Sequence, residues 1–284
     1  MTLRKINEVA GFTVLRIAAV LVLASLAFIL FDVFTKGWGV ISWEFLIDKP
    51  RQGMTEGGIF PIIVGTFYVS LITVIFAVPL GMFAAIYLNE YAKQSRITRL
   101  IRLAIRNLSG VPSIVYGLFG VALFVKMIAF GTCVLSAGLT LGLLTLPWTI
   151  TASEEALKTV PMSYREGALA LGATKWQSIR TNVLPYAVPG MLTGTILGLA
   201  RAAGETAPIL FTGAAFFWPF LPKLFSQFMA LPYHIFIMST QHHEIMKVRP
   251  LAYGTALVLI AMVLSLNGFA VWIRYRFRKK YRRV

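Results

Sequence analysis

Apolar residues gather in six runs, at about 12–34, 59–88, 107–127, 133–150, 188–210 and 251–273, and the chain turns polar or basic between them. A helix of about 20 apolar residues crosses a bilayer, so each run predicts one span. The second run is the longest and reads as a tilted helix, interrupted by Pro79 and Gly81. The third opens on Ser109, Gly110, Pro112 and Ser113, which predicts a break or kink at its inner end. Between the fifth and sixth runs, 220–239 is apolar enough to mimic a seventh span. Pro222 and Pro232 speak against that, and 216–240 reads instead as an outer segment dipping partly into the membrane. No internal repeat of the inverted type is visible.

Composition agrees. The chain is 57% hydrophobic and 13% charged, with mean hydropathy +0.75, where a soluble domain carries about 25% charge. The fold class predicted is an all-α integral membrane protein of about six transmembrane helices. A net charge of +16 would suggest nucleic acid in a soluble protein. Here the basic residues lie between apolar runs and at the termini, which fits anionic lipid and not nucleic acid. With six spans, 19 of the 27 Lys and Arg fall on one side and 6 on the other, the remaining two being Lys126 and Arg201. The positive-inside rule then puts both termini and 151–185 in the cytoplasm. The chain divides into a cytoplasmic segment 1–11, a first helix and outer loop 12–58, a transmembrane domain 59–273 and a basic tail 274–284. The first helix reads as a retained anchor. The single Cys133 excludes an intrachain disulfide and a cysteine metal cluster. His234, His242 and His243 match no ligand spacing, so no metal site is expected. No glycine-rich phosphate loop appears, so ATP is not expected to bind this chain.

The stretch 151–185 cannot lie in lipid, since it carries Glu154, Glu155, Lys158, Arg165, Glu166, Lys175 and Arg180. Ser163 with Glu166 fits a capping box after Pro161, and Gly172 fits a helix end. Thr174 with Gln177 fits a second box. It starts a helix running to about Leu184, which Pro185 then closes. The pattern predicts two short helices.

The fifth run holds the most unusual chemistry. Gly190, Gly194 and Gly198 recur every four residues and make a smooth face for another helix. Arg201 and Glu205 fall seven and eleven residues after Gly194, close to that face at 100° per residue. A mid-membrane arginine costs at least about 2.5–3.5 kcal/mol. One reading is a structural pair that neutralises itself, four residues apart. The other is a substrate path. An arginine fork suits a tetrahedral oxyanion, and a carboxylate beside it accepts a hydrogen bond from an anion that carries a proton.

Two motifs carry a family resemblance. Glu166-Gly167-Ala168, Gly172 and Leu184-Pro185 resemble, at matching spacing, the EAA loop of bacterial ABC importer permeases. Gly167 stands for the second alanine, at about 1 kcal/mol of helix propensity, and Asn182 for an isoleucine. The resemblance implies a type I importer permease fold, in which this loop is a cytoplasmic helix-turn-helix docking on an ATPase subunit. Arg201-Ala202-Ala203-Gly204-Glu205-Thr206-Ala207-Pro208 and Ser109 to Gly120 look like motifs of the PstA-type permease subunits of bacterial phosphate importers, and the likeness extends over roughly 59–273. It implies an inner-membrane subunit paired with a PstC-type permease, two PstB-type ATPases that bind ATP and Mg, and a periplasmic PstS-type phosphate receptor. It implies no cofactor on this chain and a part in translocation for Arg201 and Glu205. A permease for another oxyanion stays open beside this, as does an integral membrane enzyme acting on a lipid phosphate.

Overall fold

The computed structural model describes residues 3–281, with side chains from Ala10 onward except Arg278, Lys280 and Tyr281. The first two residues and the last three, which include Arg282 and Arg283 of the basic tail, lie outside the described residues, as do the side chains of Arg4 and Lys5. Among the described residues, five helices are long and apolar enough to cross a membrane, or six if a pair of helices bent by 103° counts as one span.

Helix α1 (Leu3–Gly37) stands off the rest of the chain. Its far end meets the last helix at Gly37, where a Cβ would lie 2.7 Å from the Tyr253 carbonyl oxygen. Helix α2 (Trp43–Ile47), capped by the Ser42 hydroxyl, and a two-stranded ribbon (β1 Pro50–Arg51, β2 Glu56–Gly57) form the outer loop. Helix α3 (Phe60–Ile86) carries Pro79 inside it and ends in a π-turn, Tyr87–Tyr91.

The segment that looked merely basic is helical. Helix α4 (Arg96–Leu108) starts at Ser95, whose hydroxyl accepts from the Thr98 amide. Its arginines share one side, while Ile97, Leu100 and Ile101 remain exposed on the other. That is the pattern of a helix lying in the membrane surface. After Pro112 the chain turns by 103° into α5 (Ser113–Gly120), which a π-turn extends to Met127. The break predicted at Pro112 is present.

Helix α6 (Val134–Lys158) runs eight residues past the expected end of its span. Ser153, Glu154 and Leu157 are buried against neighbours, so tertiary packing prolongs the helix where composition suggested a loop. Helices α7 (Met162–Ala170) and α8 (Lys175–Ser178) follow. Helix α9 (Leu184–Ala203) ends seven residues before the expected 210. The chain breaks at Gly204 to Thr206 and re-forms as the single turn α10 (Ala207–Thr212).

Residues 213–230 are irregular yet largely satisfied. The amides of Val134 and Leu135 donate to Ser226 and Leu224 carbonyls at 3.1 Å each, and Leu231 N donates to Thr66 Oγ1 at 2.8 Å. Irregular backbone at membrane depth survives only where protein supplies such partners. Helix α11 (Leu231–Thr240) has ten residues and buries Leu231, Tyr233 and Ile237, so no seventh span exists among the described residues. Helix α12 (Ile245–Tyr281) closes the chain and carries the basic tail as far as Tyr281.

Candidate functional site

Helix α9 joins two sites. At its first end stand α7 and α8. The Thr174–Gln177 capping box forms as expected, with hydrogen bonds of 3.3 and 2.7 Å. Gly172 takes φ +83°, the left-handed conformation that ends α7 and turns the chain. Two expectations fail. Ser163 caps nothing: Pro161 is the extended residue before α7, and the Tyr164 amide already closes the first turn on its carbonyl at 3.2 Å. Pro185 does not close a helix either. A π-turn, Ile179–Val183, joins α8 to α9 without a break, and the helix runs on through Pro185. Ile179 and Val183 thereby reach a core with Ala85, Ile86, Ala156 and Leu157.

Arg165 fixes α7 to that core. Its guanidinium grips Glu90 at 2.7 and 3.1 Å and also donates to the carbonyls of Val160 at 2.9 Å and Leu157 at 3.1 Å. It thus satisfies acceptors left over where α6 ends. Both side chains are buried, at 13% and 5% exposure. Beside it Arg102 of α4 lies 2.7 Å from Glu154 of α6 and donates to the Leu88 carbonyl at 2.8 Å. The Arg102–Glu154 contact is one of charge and not an aligned hydrogen bond. Tyr164 packs on Tyr186 at 5.4 Å. Against this held inner side, the outer side of the pair is open. Glu166 and Gly167 are exposed, Ala168 is half-buried, and Leu171, Met162 and Trp176 present apolar surface, Leu171 at 90% exposure.

Sequence reading missed Glu90 as the partner of Arg165, Arg102 as the partner of Glu154, and the apolar tip at Leu171. Glu90 and Arg165 are separated by 75 residues, and no local spacing announces such a pair. The available signal was an acid at the very end of an apolar run, where a solvated end needs none.

The middle of α9 packs on α6. A Cβ on Gly194 would collide with that of Ala152, and one on Gly190 would lie 2.9 Å from that of Ala156. Gly198 differs: its Cβ would sit at an ordinary 3.7 Å from Trp148. Two of the three predicted contact glycines are required by close approach, and the third is not.

At the far end, Arg201 lies in the last turn of α9, and Glu205 lies beyond the helix. The expectation that both share one helical face therefore fails for Glu205. The pair still forms, with Nε to Oε1 at 3.3 Å, because the Gly204 and Glu205 amides donate to the Arg201 and Ala202 carbonyls and keep the chain coiled there. The Arg201 guanidinium stands over the Trp148 ring at 5.6 Å. Its side chain is 48% exposed and that of Glu205 is 17% exposed. The arginine faces outward from this chain beside α6, with most of its donors free. Among the described residues no group of three or more His, Cys, Asp or Glu is placed to hold a metal.

This architecture is that of a multi-pass membrane transport component. Residues 77–283 match the family described as binding-protein-dependent transport system inner membrane component, and the chain belongs to that family. It is 36% identical over 275 residues to the phosphate transport system permease protein PstA of Yersinia pestis, covering 93% of this chain and 90% of that one. It is 31% identical over 289 residues to a probable ABC transporter permease protein, YqgI, of Bacillus subtilis, covering 98% of each. The fold superposes on a chain of a bacterial alginate ABC transporter with TM-score 0.71 at 12% identity, over 96% of both chains. The protein is a multi-pass inner-membrane transport component and not an enzyme, and it works with an ATPase and a binding protein.

Proposed function

We propose that this chain is the membrane-spanning permease subunit of an ATP-driven importer of inorganic phosphate. The observation that carries the reading is the half-exposed Arg201 at the broken end of α9, with a carboxylate 3.3 Å away. An arginine so placed cannot face lipid, so it faces a second permease subunit, a water-filled path, or both. Its free donors suit an oxyanion, and Glu205 suits the proton that phosphate keeps at neutral pH. The relatives named as phosphate permeases support the same substrate.

The partners in this reading are a PstC-type permease forming a heterodimer, two PstB-type ATPases and a PstS-type periplasmic receptor. ATP and Mg bind in the ATPases, and this chain holds no cofactor. Both termini lie in the cytoplasm, as does the arm of α7 and α8. The exposed face of Glu166, Gly167, Ala168 and Leu171 docks on an ATPase, a helix set in a groove. Closure of the ATPases pushes this arm, and α9 carries the displacement toward Arg201. The pore then alternates between its two openings.

Reconstituting the whole complex in liposomes tests the substrate path. Arg201→Ala is expected to stop phosphate uptake while the four kinds of subunit still co-purify. Glu205→Gln is expected to lower phosphate flux and relax the rejection of sulfate, which has no proton to donate. A site built to match a hydrogen-bonding partner discriminates by up to about 10⁴-fold, shared here with the receptor. Undiminished phosphate flux in Arg201→Ala would reduce the pair to a structural feature.

A further inference from the structure

A crevice of about 350 Å³ opens between α3, α9 and α12, on the other face of α9 from Arg201 and apart from the α7–α8 arm. Its walls are apolar, with Val74, Val78, Leu199, Ala200, Leu266 and Phe269 among them. It runs from Val263 to Ile273 along α12, about 15 Å at 1.5 Å per residue. The slot is long and narrow. A single extended hydrocarbon chain fits along it.

Charge marks one mouth of the crevice. Arg274 follows Ile273 directly and donates to Thr193 Oγ1 at 3.0 Å, a residue adjacent to Leu192 of the crevice wall. This bond uses one Nη of the guanidinium and leaves its other donors open. Arg276 stacks on Trp272 at 4.5 Å just beyond. From Ile245 to the end the sequence has no Asp or Glu, and among the described residues no carboxylate pairs with Arg274. A half-buried arginine at the end of an apolar slot, next to an interfacial tryptophan, lacks an anion.

We propose that this crevice is a binding site for an anionic phospholipid. One acyl chain lies between α3, α9 and α12, and Arg274, with Arg276 beside it, holds the phosphate in the leaflet nearest α7 and α8. Basic pockets between membrane helices select anionic headgroups by this arrangement, and burial of the chain supplies the rest. The site touches α9 on the side opposite Gly190 and Gly194, so an occupied slot presses α9 toward α6.

The test uses the purified whole transporter, delipidated and then equilibrated with equal amounts of phosphatidylglycerol and phosphatidylcholine. Native mass spectrometry counts the lipids retained on the intact complex. Preferential retention of phosphatidylglycerol is expected. Arg274→Gln should lower that retention about fivefold, the effect of one basic group at a membrane surface, and Arg274→Lys should restore most of it. Ala200→Trp, which plugs the slot without touching the charge, should lower it as well. Equal retention of the two lipids, or unchanged retention in both Arg274→Gln and Ala200→Trp, overturns the site. If the slot seats a helix of the second permease subunit instead, Ala200→Trp separates the subunits while Arg274→Gln leaves lipid content unaltered, and that outcome overturns it too.

Discussion

The two ends of α9 are built on opposite terms. At the α8 end the groups that fix the arm find partners inside this chain: Arg165 has Glu90 and two carbonyls, and Thr174 and Gln177 cap each other. At the Arg201 end one 3.3 Å contact and a ring face are all that hold a half-exposed cation. Satisfied buried charges fix one geometry, whereas a cation with spare donors is ready to bind. The comparison teaches a division of labour. In the proposed function the first end transmits displacement without deforming, and the second uses its free donors to bind the anion.

Breaking the held end should give the largest effect. Glu90→Ala leaves Arg165 buried and unpaired, and losing one half of such a pair costs about 3–5 kcal/mol. The expected outcome is loss of transport with a loosened α7, seen as faster amide exchange over Met162–Ala170 in the assembled complex. Full ATP-driven transport in this variant would show that the clamp transmits nothing. A double change exchanging the acid and the base, Glu90→Arg with Arg165→Glu, sharpens the point. It should recover only part of the function, since the carbonyls of Leu157 and Val160 lose their donor.

The link between the ends can be broken separately. Gly194→Leu forces α9 away from Ala152, and overpacking of this kind costs about 1–3 kcal/mol. Transport should fall although both ends keep their residues, and thermal stability of the complex should fall with it. Gly198→Ala, with ordinary contact distance available, should leave both measurements close to the wild type. A loss in Gly198→Ala as large as in Gly194→Leu would mean that the smooth face meets another chain rather than α6.

A smaller effect is expected at the turn of the arm. Gly172 is left-handed with open space around it. Gly172→Ala therefore adds only backbone strain, about 1–2 kcal/mol. ATPase docking should weaken several-fold in a titration of detergent-solubilised permease with the ATPase, without loss of the membrane domain. Unaltered docking would place the contact elsewhere than the α7–α8 turn.

Legibility in the sequence follows the range of the physics. Apolar runs and several local signals survived, namely the spans, the break at Pro112, the turn at Gly172 and the box at Thr174, while the box at Ser163 and the stop at Pro185 did not. All depend on residues within a few positions of one another. Ends set by tertiary packing did not survive. Helix α6 continues to Lys158 because Glu154 meets Arg102 of α4, and no property of 151–158 alone says so. Helix α9 stops at Ala203 although Thr206 to Phe211 reads as more of the same span, because α10 packs instead on α5, where Gly117 admits the Ala207 carbonyl oxygen at 3.2 Å from a built Cβ. Arg201 and Glu205 were found through the cost of a charge in lipid, while their geometry was only half foreseen, because a helical wheel does not show where its helix ends.

The smallest prediction separates folding from docking at the held end. Gly167 lies inside α7, exposed, and nothing stands within 4 Å of a Cβ built on it. Glycine within a helix is less stable than alanine by about 0.5–1 kcal/mol, because it loses more backbone freedom on folding. Gly167→Ala should therefore stabilise α7 by about that amount, visible as slower amide exchange at Ala168 to Ala170, with transport undiminished. The clamp at Arg165 lies two residues away on a buried face, and a methyl on the exposed face does not disturb it. If α7 is rigid because of Glu90 and Arg165 alone, exchange will barely change, which sharpens the contrast by placing all of the rigidity in the ion pair. If transport falls while exchange slows, the methyl has met the docked ATPase. The proposed contact at Gly167 would then be one that leaves no room for a methyl, and the freedom of this glycine would serve the partner rather than the helix.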